Sequence, residues 1–160
     1  MIYARTISRM WTFEHTAPTT ASPDAVWALW SDVGTWKAWN ADIMAMDLRG
    51  PFASGTAFTM NPGREDAVEL VLADVVPGES FTDEARFGDL VLRTTHRIEH
   101  VPGAGSDDPG PDGARPGLRV VYRMEISGPG ADEAGPELGP QITSDWPETI
   151  AALVALAEAR

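Results

Sequence analysis

The chain contains no cysteine. Disulfides, thiolate metal sites and cysteine nucleophiles are excluded at once. Histidine is scarce: His15, His96 and His100 are the only three. No HExxH or HxH spacing occurs among them, so neither a metal site nor a cofactor is expected. Positive charge is also short, with 12 Lys and Arg against 24 Asp and Glu and a formal net charge of −12. Nucleic-acid phosphates repel such a chain, as do anionic lipid surfaces, so no nucleic-acid partner is expected. The same charge favours solubility. No apolar run approaches the ~20 residues of a membrane span. Met1–Met10 carries Arg5 and Arg9 with no apolar stretch after them, unlike a secretory signal. A cytoplasmic protein is the expectation.

Tryptophan, by contrast, is concentrated. The chain has six, and Trp27, Trp30, Trp36 and Trp39 all fall within Pro23–Asn40. So much aromatic surface in one stretch suits either a packing platform or the lid of an apolar cavity. Ser22-Pro23-Asp24 is a helix start: a capping hydroxyl, a proline suited to the first helical position, and an acidic residue on the N-terminal dipole. Val26, Trp27, Trp30 and Val33 then share one helical face. Gly34 ends that helix, and Trp36–Asn40 reads as a second short one.

The rest of the chain alternates strand-like runs with turn residues. Met10–Thr20 precedes the helices, with Trp11, Phe13 and His15 on one face. Asp42–Arg49, Gly55–Met60, Asp66–Val76, Ser80–Phe87, Leu90–Val101 and Leu118–Ile126 follow. Pro102–Gly117 and Gly128–Pro140 are rich in glycine and proline and read as loops, the first of them mobile. Ile142–Ala159 is the last helix, with Trp146, Ile150, Leu153, Val154 and Ala157 on its apolar stripe; Pro147 either begins its straight part or kinks a longer helix. The whole of 1–160, with a core of about 10–159, fits one domain. Seven antiparallel strands with helices on one face make an α+β fold.

Gly88-Asp89 sets the register of the central hairpin, since a two-residue Gly-X link favours a type II′ turn. Phe87 then pairs with Leu90, Ala85 with Leu92, Asp83 with Thr94 and Phe81 with His96. Phe81, Ala85, Phe87, Leu90, Leu92 and Ile98 fall on one face, which is the inner one. Glu84, Arg86, Arg93 and Arg97 lie on the other, with Glu84 opposite Arg93. Asp83, Thr94 and His96 are therefore polar residues on an apolar inner face. In the last strand Tyr122 and Met124 share the apolar side, and Tyr122 falls beside His96. A buried polar group without a partner costs roughly 1–3 kcal/mol. These groups are either a satisfied core cluster or the polar contacts of a ligand site. As a working site, His96, Asp83 and Tyr122 are the acid/base candidates. Ser80 falls on the outer face, so a Ser-His-Asp triad is not expected. Phe58 and Met60 on an earlier strand, Phe81 and Leu92 on the hairpin, Thr94, Met124, and Trp146 and Ile150 on the last helix are the candidate ligand contacts. Trp36 and Trp39 join them at the presumed mouth; Trp27 and Trp30 read as core. Asn40 reads as a turn cap. Alternation leaves the exposure of Glu69 open.

The residues SPDAVWALWSDVGTWKAWN, with GPFASGT at Gly50–Thr56, VVPGESFTDE at Val75–Glu84, THRIEHV at Thr95–Val101 and the ending GPQITSDWPETIAALVALAE, resemble the START/Bet v1-like superfamily. The likeness is to its bacterial polyketide cyclase/dehydrase-like branch, SRPBCC, over roughly Met10–Glu158. The resemblance implies a helix-grip fold: a curved seven-stranded sheet around a long C-terminal helix, with two short helices after strand 1 and a deep apolar cavity between. It implies no single catalytic motif, since relatives include polyketide aromatase/cyclases, lipid carriers, hormone-binding proteins and co-chaperone-like proteins. Three functions stand: binding of a small hydrophobic or aromatic molecule, a metal-independent polyketide cyclase/aromatase-like activity, or a co-chaperone-like interaction module.

Overall fold

Alternation of apolar and polar residues becomes seven strands in the computed structural model, which describes residues 10–41, 43–61, 66–101 and 117–160. They are β1 (Trp11–Thr19), β2 (Ala45–Leu48), β3 (Ala57–Asn61), β4 (Val68–Val76), β5 (Ser80–Phe87), β6 (Leu90–His100) and β7 (Leu118–Ser127). They form a single antiparallel sheet in the order β1-β7-β6-β5-β4-β3-β2. β1 and β2 thus lie at opposite edges, and the chain between them crosses the sheet. That crossing is made by α1 (Pro23–Ser31), a 3-10 turn at Val33–Thr35, and α2 (Trp36–Trp39). Ser22 caps α1 by accepting from Ala25 N at 3.1 Å, with Pro23 in the first turn. α1 stops at Ser31, three residues before Gly34, because the Asp32 carboxylate accepts from Gly34 N and opens the 3-10 turn.

The hairpin register is the one the Gly88-Asp89 arithmetic predicts: Phe87↔Leu90, Ala85↔Leu92, Asp83↔Thr94 and Phe81↔His96. Gly88 has φ +60° and no described non-glycine residue has positive φ, which fits a type II′ turn rather than type I′. β7 places Tyr122 opposite His96. The convex face carries the charge. Glu84 meets Arg93 at 3.3 Å, Arg119 meets Glu99 at 2.8 Å, and Glu14 meets both Arg97 and Arg123 at 3.5 Å. Glu69 also points outward, to Arg49 and Thr59.

The concave face holds the core, with Trp30, Phe58, Phe81, Leu72, Ile126, Ile150 and Leu153 almost wholly enclosed. Its cover is a bent helix, α3 (Ala131–Thr143) followed by α4 (Trp146–Glu158). Trp146, Ile150 and Leu153 face the sheet as their spacing predicts, and Pro147 sits in the first turn of α4. Glu158 fastens the far end of α4 to the end of β1 by accepting from Thr19 Oγ1 and Thr20 N, both at 2.9 Å. The Pro102–Gly117 loop falls outside the described residues except for Gly117.

Gly128–Pro140 is not the loop that its composition predicts. Most of it is α3, which contains Pro136 and Pro140. Each proline follows a glycine. The residue before proline resists helical geometry partly through its Cβ, and Gly135 and Gly139 have none. The same glycines seat a side chain. A Cβ on Gly135 would lie 2.4 Å from Trp11 Cβ, and one on Gly139 would lie 2.3 Å from Trp11 Cη2. Tertiary packing therefore holds a segment whose intrinsic propensity is poor. In Gly139→Ala the roughly 1 kcal/mol of intrinsic helix propensity is opposed by the following proline and by overpacking against the indole at about 1–3 kcal/mol. The expected result in a thermal melt is a lower midpoint; a rise would contradict the packing described.

Candidate functional site

Between the concave face, α2, α3 and the start of α4 lies a cavity of about 740 Å³. Its walls are largely apolar. Trp36 and Trp39 come from α2, Phe58 and Met60 from β3, Leu92 from β6, Met124 from β7 and Trp146 from α4. Asp83, Thr94, His96 and Tyr122 form a polar strip across β5, β6 and β7. Eleven of the sequence-derived candidates thus border one space. Phe81 and Ile150 do not. Phe81 is sealed off by the rings of Trp30, Trp36, Phe52 and His96, with centroids 5.5, 5.7, 5.1 and 4.0 Å away. Ile150, one turn beyond Trp146, is fully enclosed in the core.

Sequence reasoning missed a set of lining residues. Leu138, Gln141, Ile142, Asp145 and Thr149 line the cavity from the bent helix. Leu138 lies in the stretch whose composition reads as loop, whereas Ile142, Asp145 and Thr149 lie in the predicted helix but off its apolar stripe. Asn40, read as a turn cap, also borders it. Ala85 and Phe87 were findable, since the hairpin arithmetic already set them on the inner face. Val68 and Leu70 share the inner face with their partners Met60 and Phe58.

The tryptophans divide by position. Trp30 is completely buried, and its Nε1–H donates to Tyr122 Oη at 3.3 Å. Trp27 is half-buried and packs edge-on against Trp30 and Phe52. Trp36 and Trp39 are nearly as buried as Trp30 yet present a face to the cavity. Trp36 is fixed there because its Nε1–H donates to the Trp30 carbonyl at 2.9 Å.

The electrostatics of the polar strip invert the roles that residue type suggests. His96 stacks on Phe81 at 4.0 Å with 7° between planes, and its Nδ1 lies 3.3 Å from the Phe81 carbonyl oxygen. A carbonyl only accepts, so Nδ1 carries the proton and Nε2 is left as an acceptor. Burial pushes the imidazole pKa down to about 3, against a smaller opposing effect of that carbonyl. His96 is thus neutral at pH 7. Asp83 is 9% exposed, and burial raises its carboxyl to about 7. Asp83, not His96, is the group poised to exchange a proton near neutrality. The two lie 3.9 Å apart, Nε2 to Oδ2, beyond a direct hydrogen bond. Burial, and secondarily the nearby Asp83, raises the Tyr122 phenol against the opposing hydrogen bond from Trp30. Tyr122 therefore keeps its proton and remains a donor.

No described helix is long and apolar enough to cross a membrane. No curated protein matches the sequence significantly. Solved structures do match in fold. Ara h 8.0201 superposes with a TM-score of 0.69 at 11% identity, covering 94% of this chain and 99% of that one. The di-domain ARO/CYC BexL from the BE-7585A biosynthetic pathway gives 0.71 at 15% identity; it covers 95% of this chain, which spans 51% of BexL. A norcoclaurine synthase point mutant from Thalictrum, in complex with a transition-state analogue, gives 0.65 at 15% identity with 96% and 97% covered. At these identities the likeness establishes the fold alone. The sequence itself matches the family described as polyketide cyclase / dehydrase and lipid transport over residues 10–158. With that match spanning every element from β1 to α4, and a helix-grip sheet around a cavity, the chain belongs to the polyketide cyclase/dehydrase and lipid transport family.

Proposed function

We propose that the protein binds a small hydrophobic or aromatic molecule in the cavity between sheet and bent helix. The observation that carries this reading is the cavity itself: about 740 Å³, within the ~300–1,000 Å³ usual for small-molecule sites. Its aromatic walls and small number of polar groups match the usual form of such a site. The acidic composition fits a cytoplasmic setting, where we place the protein. Thr94 is the position to probe, because it lies between Asp83 and Met124 across the strands and borders the cavity. In Thr94→Trp an indole enters that space. The fold should persist, since the added volume meets a void rather than packed core. A saturable rise in N-phenyl-1-naphthylamine fluorescence is expected for the natural chain. The variant should bind that neutral probe at least about tenfold more weakly, ~1.4 kcal/mol. Absence of saturable binding by the natural chain would remove this reading.

One observation favours a second reading, in which the same cavity catalyses proton transfer as in cyclisation or dehydration of a carbonyl compound. Asp83 titrates near 7 inside the cavity, and a catalytic acid or base is most effective with a pKa near the working pH. Asp83 moves the proton, the Tyr122 hydroxyl donates to the carbonyl oxygen, and neutral His96 accepts through Nε2. No comparable observation favours the interaction-module reading. The large exposed apolar residues among those described, Met10, Phe13, Met44, Val76, Phe87 and Leu156, are scattered over β1 and the residue before it, β4, β5, α4 and the bend before β2.

A further inference from the structure

Resting on the ligand-binding reading above, we propose that the cavity selects against anionic ligands and takes a primary amine carried on a hydrophobic or aromatic body, its nitrogen held between Asp83 and His96 Nε2. Charge placement is the first argument. None of the described residues lining the cavity is lysine or arginine, whereas Asp66, Asp83 and Asp145 all border it. The arginines of the central strands, Arg93, Arg97, Arg119 and Arg123, are committed to acidic partners on the convex side. A carboxylate or phosphate head group entering the cavity would lose its hydration and meet carboxyl groups without a cation among the described lining residues. Burying an unpaired charge in this way is strongly unfavourable.

The second argument is an incomplete contact. Asp83 is nine-tenths buried and faces the cavity. Desolvation is the cause of its raised pKa, with no hydrogen bond from a described residue offsetting it. His96 Nε2 lies 3.9 Å from Asp83 Oδ2 and is an acceptor, because Nδ1 donates to the Phe81 carbonyl. Two acceptors at that separation are both reachable by one nitrogen placed ~2.8–3.0 Å from each. An ammonium group supplies the donors and the positive charge that this pair lacks, and charge-assisted hydrogen bonds of this type are among the stronger ones. Trp36, Trp39 and Trp146 line the same cavity and offer aromatic faces to the body of such a ligand.

The test compares three probes with one body and three head groups: 2-(2-naphthyl)ethylamine, 2-(2-naphthyl)ethanol and 2-naphthylacetate. Each is titrated calorimetrically into the natural chain at pH 7.5. The amine is expected to bind at least about tenfold more tightly than the carboxylate, with the alcohol between them. Asp83→Asn should weaken the amine at least about tenfold and change the alcohol by less than about threefold. A carboxylate that binds as tightly as the amine overturns the proposal, and so does an alcohol that outbinds the amine. An amine affinity unchanged in Asp83→Asn overturns the assigned contact. Saturable N-phenyl-1-naphthylamine binding alongside either result shows that the head-group assignment failed and the cavity reading stands. Loss of all four compounds overturns both.

Discussion

Asp83→Asn should make the protein more stable relative to the natural chain at pH 8 than at pH 4. The folded-state pKa of Asp83 is raised from 3.8 to about 7. The stability associated with keeping it protonated is complete below pH 3.8 and is lost as pH rises through about 7, because the unfolded chain then holds fewer protons. The rise corresponds to at most roughly 4 kcal/mol at ~1.4 kcal/mol per pH unit; water entering the cavity reduces it. His96 works in the opposite sense. Its pKa is depressed from 6.5 to about 3, so its contribution is complete above pH 6.5 and is lost as pH falls toward 3. In the natural chain the two slopes offset one another between about pH 4 and 6.5, and stability declines from there to pH 7. In the variant only the histidine slope remains, so stability climbs to pH 6.5 and then levels. Urea unfolding from pH 4 to 8 reads these profiles directly. Parallel profiles for the two chains would show that Asp83 ionises normally. That result would also remove the basis for proton transfer at this residue. The catalytic reading further requires that Asp83→Asn abolish any turnover found.

Trp30→Ala should be the most damaging single truncation in the aromatic cluster. Trp30 is completely enclosed and touches Phe81, His96, Tyr122 and Trp27, with ring centroids 5.5 to 6.3 Å away. Removal of a buried tryptophan costs about 3–5 kcal/mol through lost transfer energy and the void left behind. For a chain of this size that lowers the melting midpoint on the order of 10 °C. The Tyr122 hydroxyl also loses its donor, which loosens the ring beside His96. Trp30→Phe restores most of the volume without the indole N–H and should recover over half of the loss. Trp39→Ala is the contrasting case. That side chain borders an existing space, so its removal enlarges a cavity water can enter, and the midpoint should fall less than in Trp30→Ala. Equal losses for the two would mean that Trp39 is as much a core residue as Trp30.

The division between sequence and tertiary structure follows the range of the interactions. Wherever the deciding contact is short, the chain is legible. Ser22 caps a helix that begins beside it, and Gly88-Asp89 pins a hairpin whose strands adjoin it. Side chains alternate strictly along a strand, so one turn assigned Phe81, Asp83, Leu92, Thr94 and His96 to a single face. The alternation of the last strand set Tyr122 on the apolar side, and the pairing of β6 with β7 puts it opposite His96. The family resemblance carried the same information to the whole architecture.

Gly128–Pro140 was illegible because its helix is held from outside. Trp11, at the other end of the chain, packs onto Gly135 and Gly139, and neither local propensity nor periodicity records a partner so distant. Leu138, the cavity-lining residue within that stretch, stayed hidden with it. Phe81 and Ile150 illustrate a related limit: alternation and helical spacing show which side a residue faces, but only the neighbours' rings and the depth of burial decide whether it meets the cavity or is sealed beneath it. Protonation was the last property left to the tertiary structure. Residue type marks histidine as the group that titrates near neutrality. Desolvation inside the folded sheet drives His96 down and Asp83 up, because an enclosed apolar wall disfavours whichever form is charged. The sequence by itself determined which polar side chains point inward; the enclosure formed by α2, α3, α4 and the sheet decided which of them holds the proton.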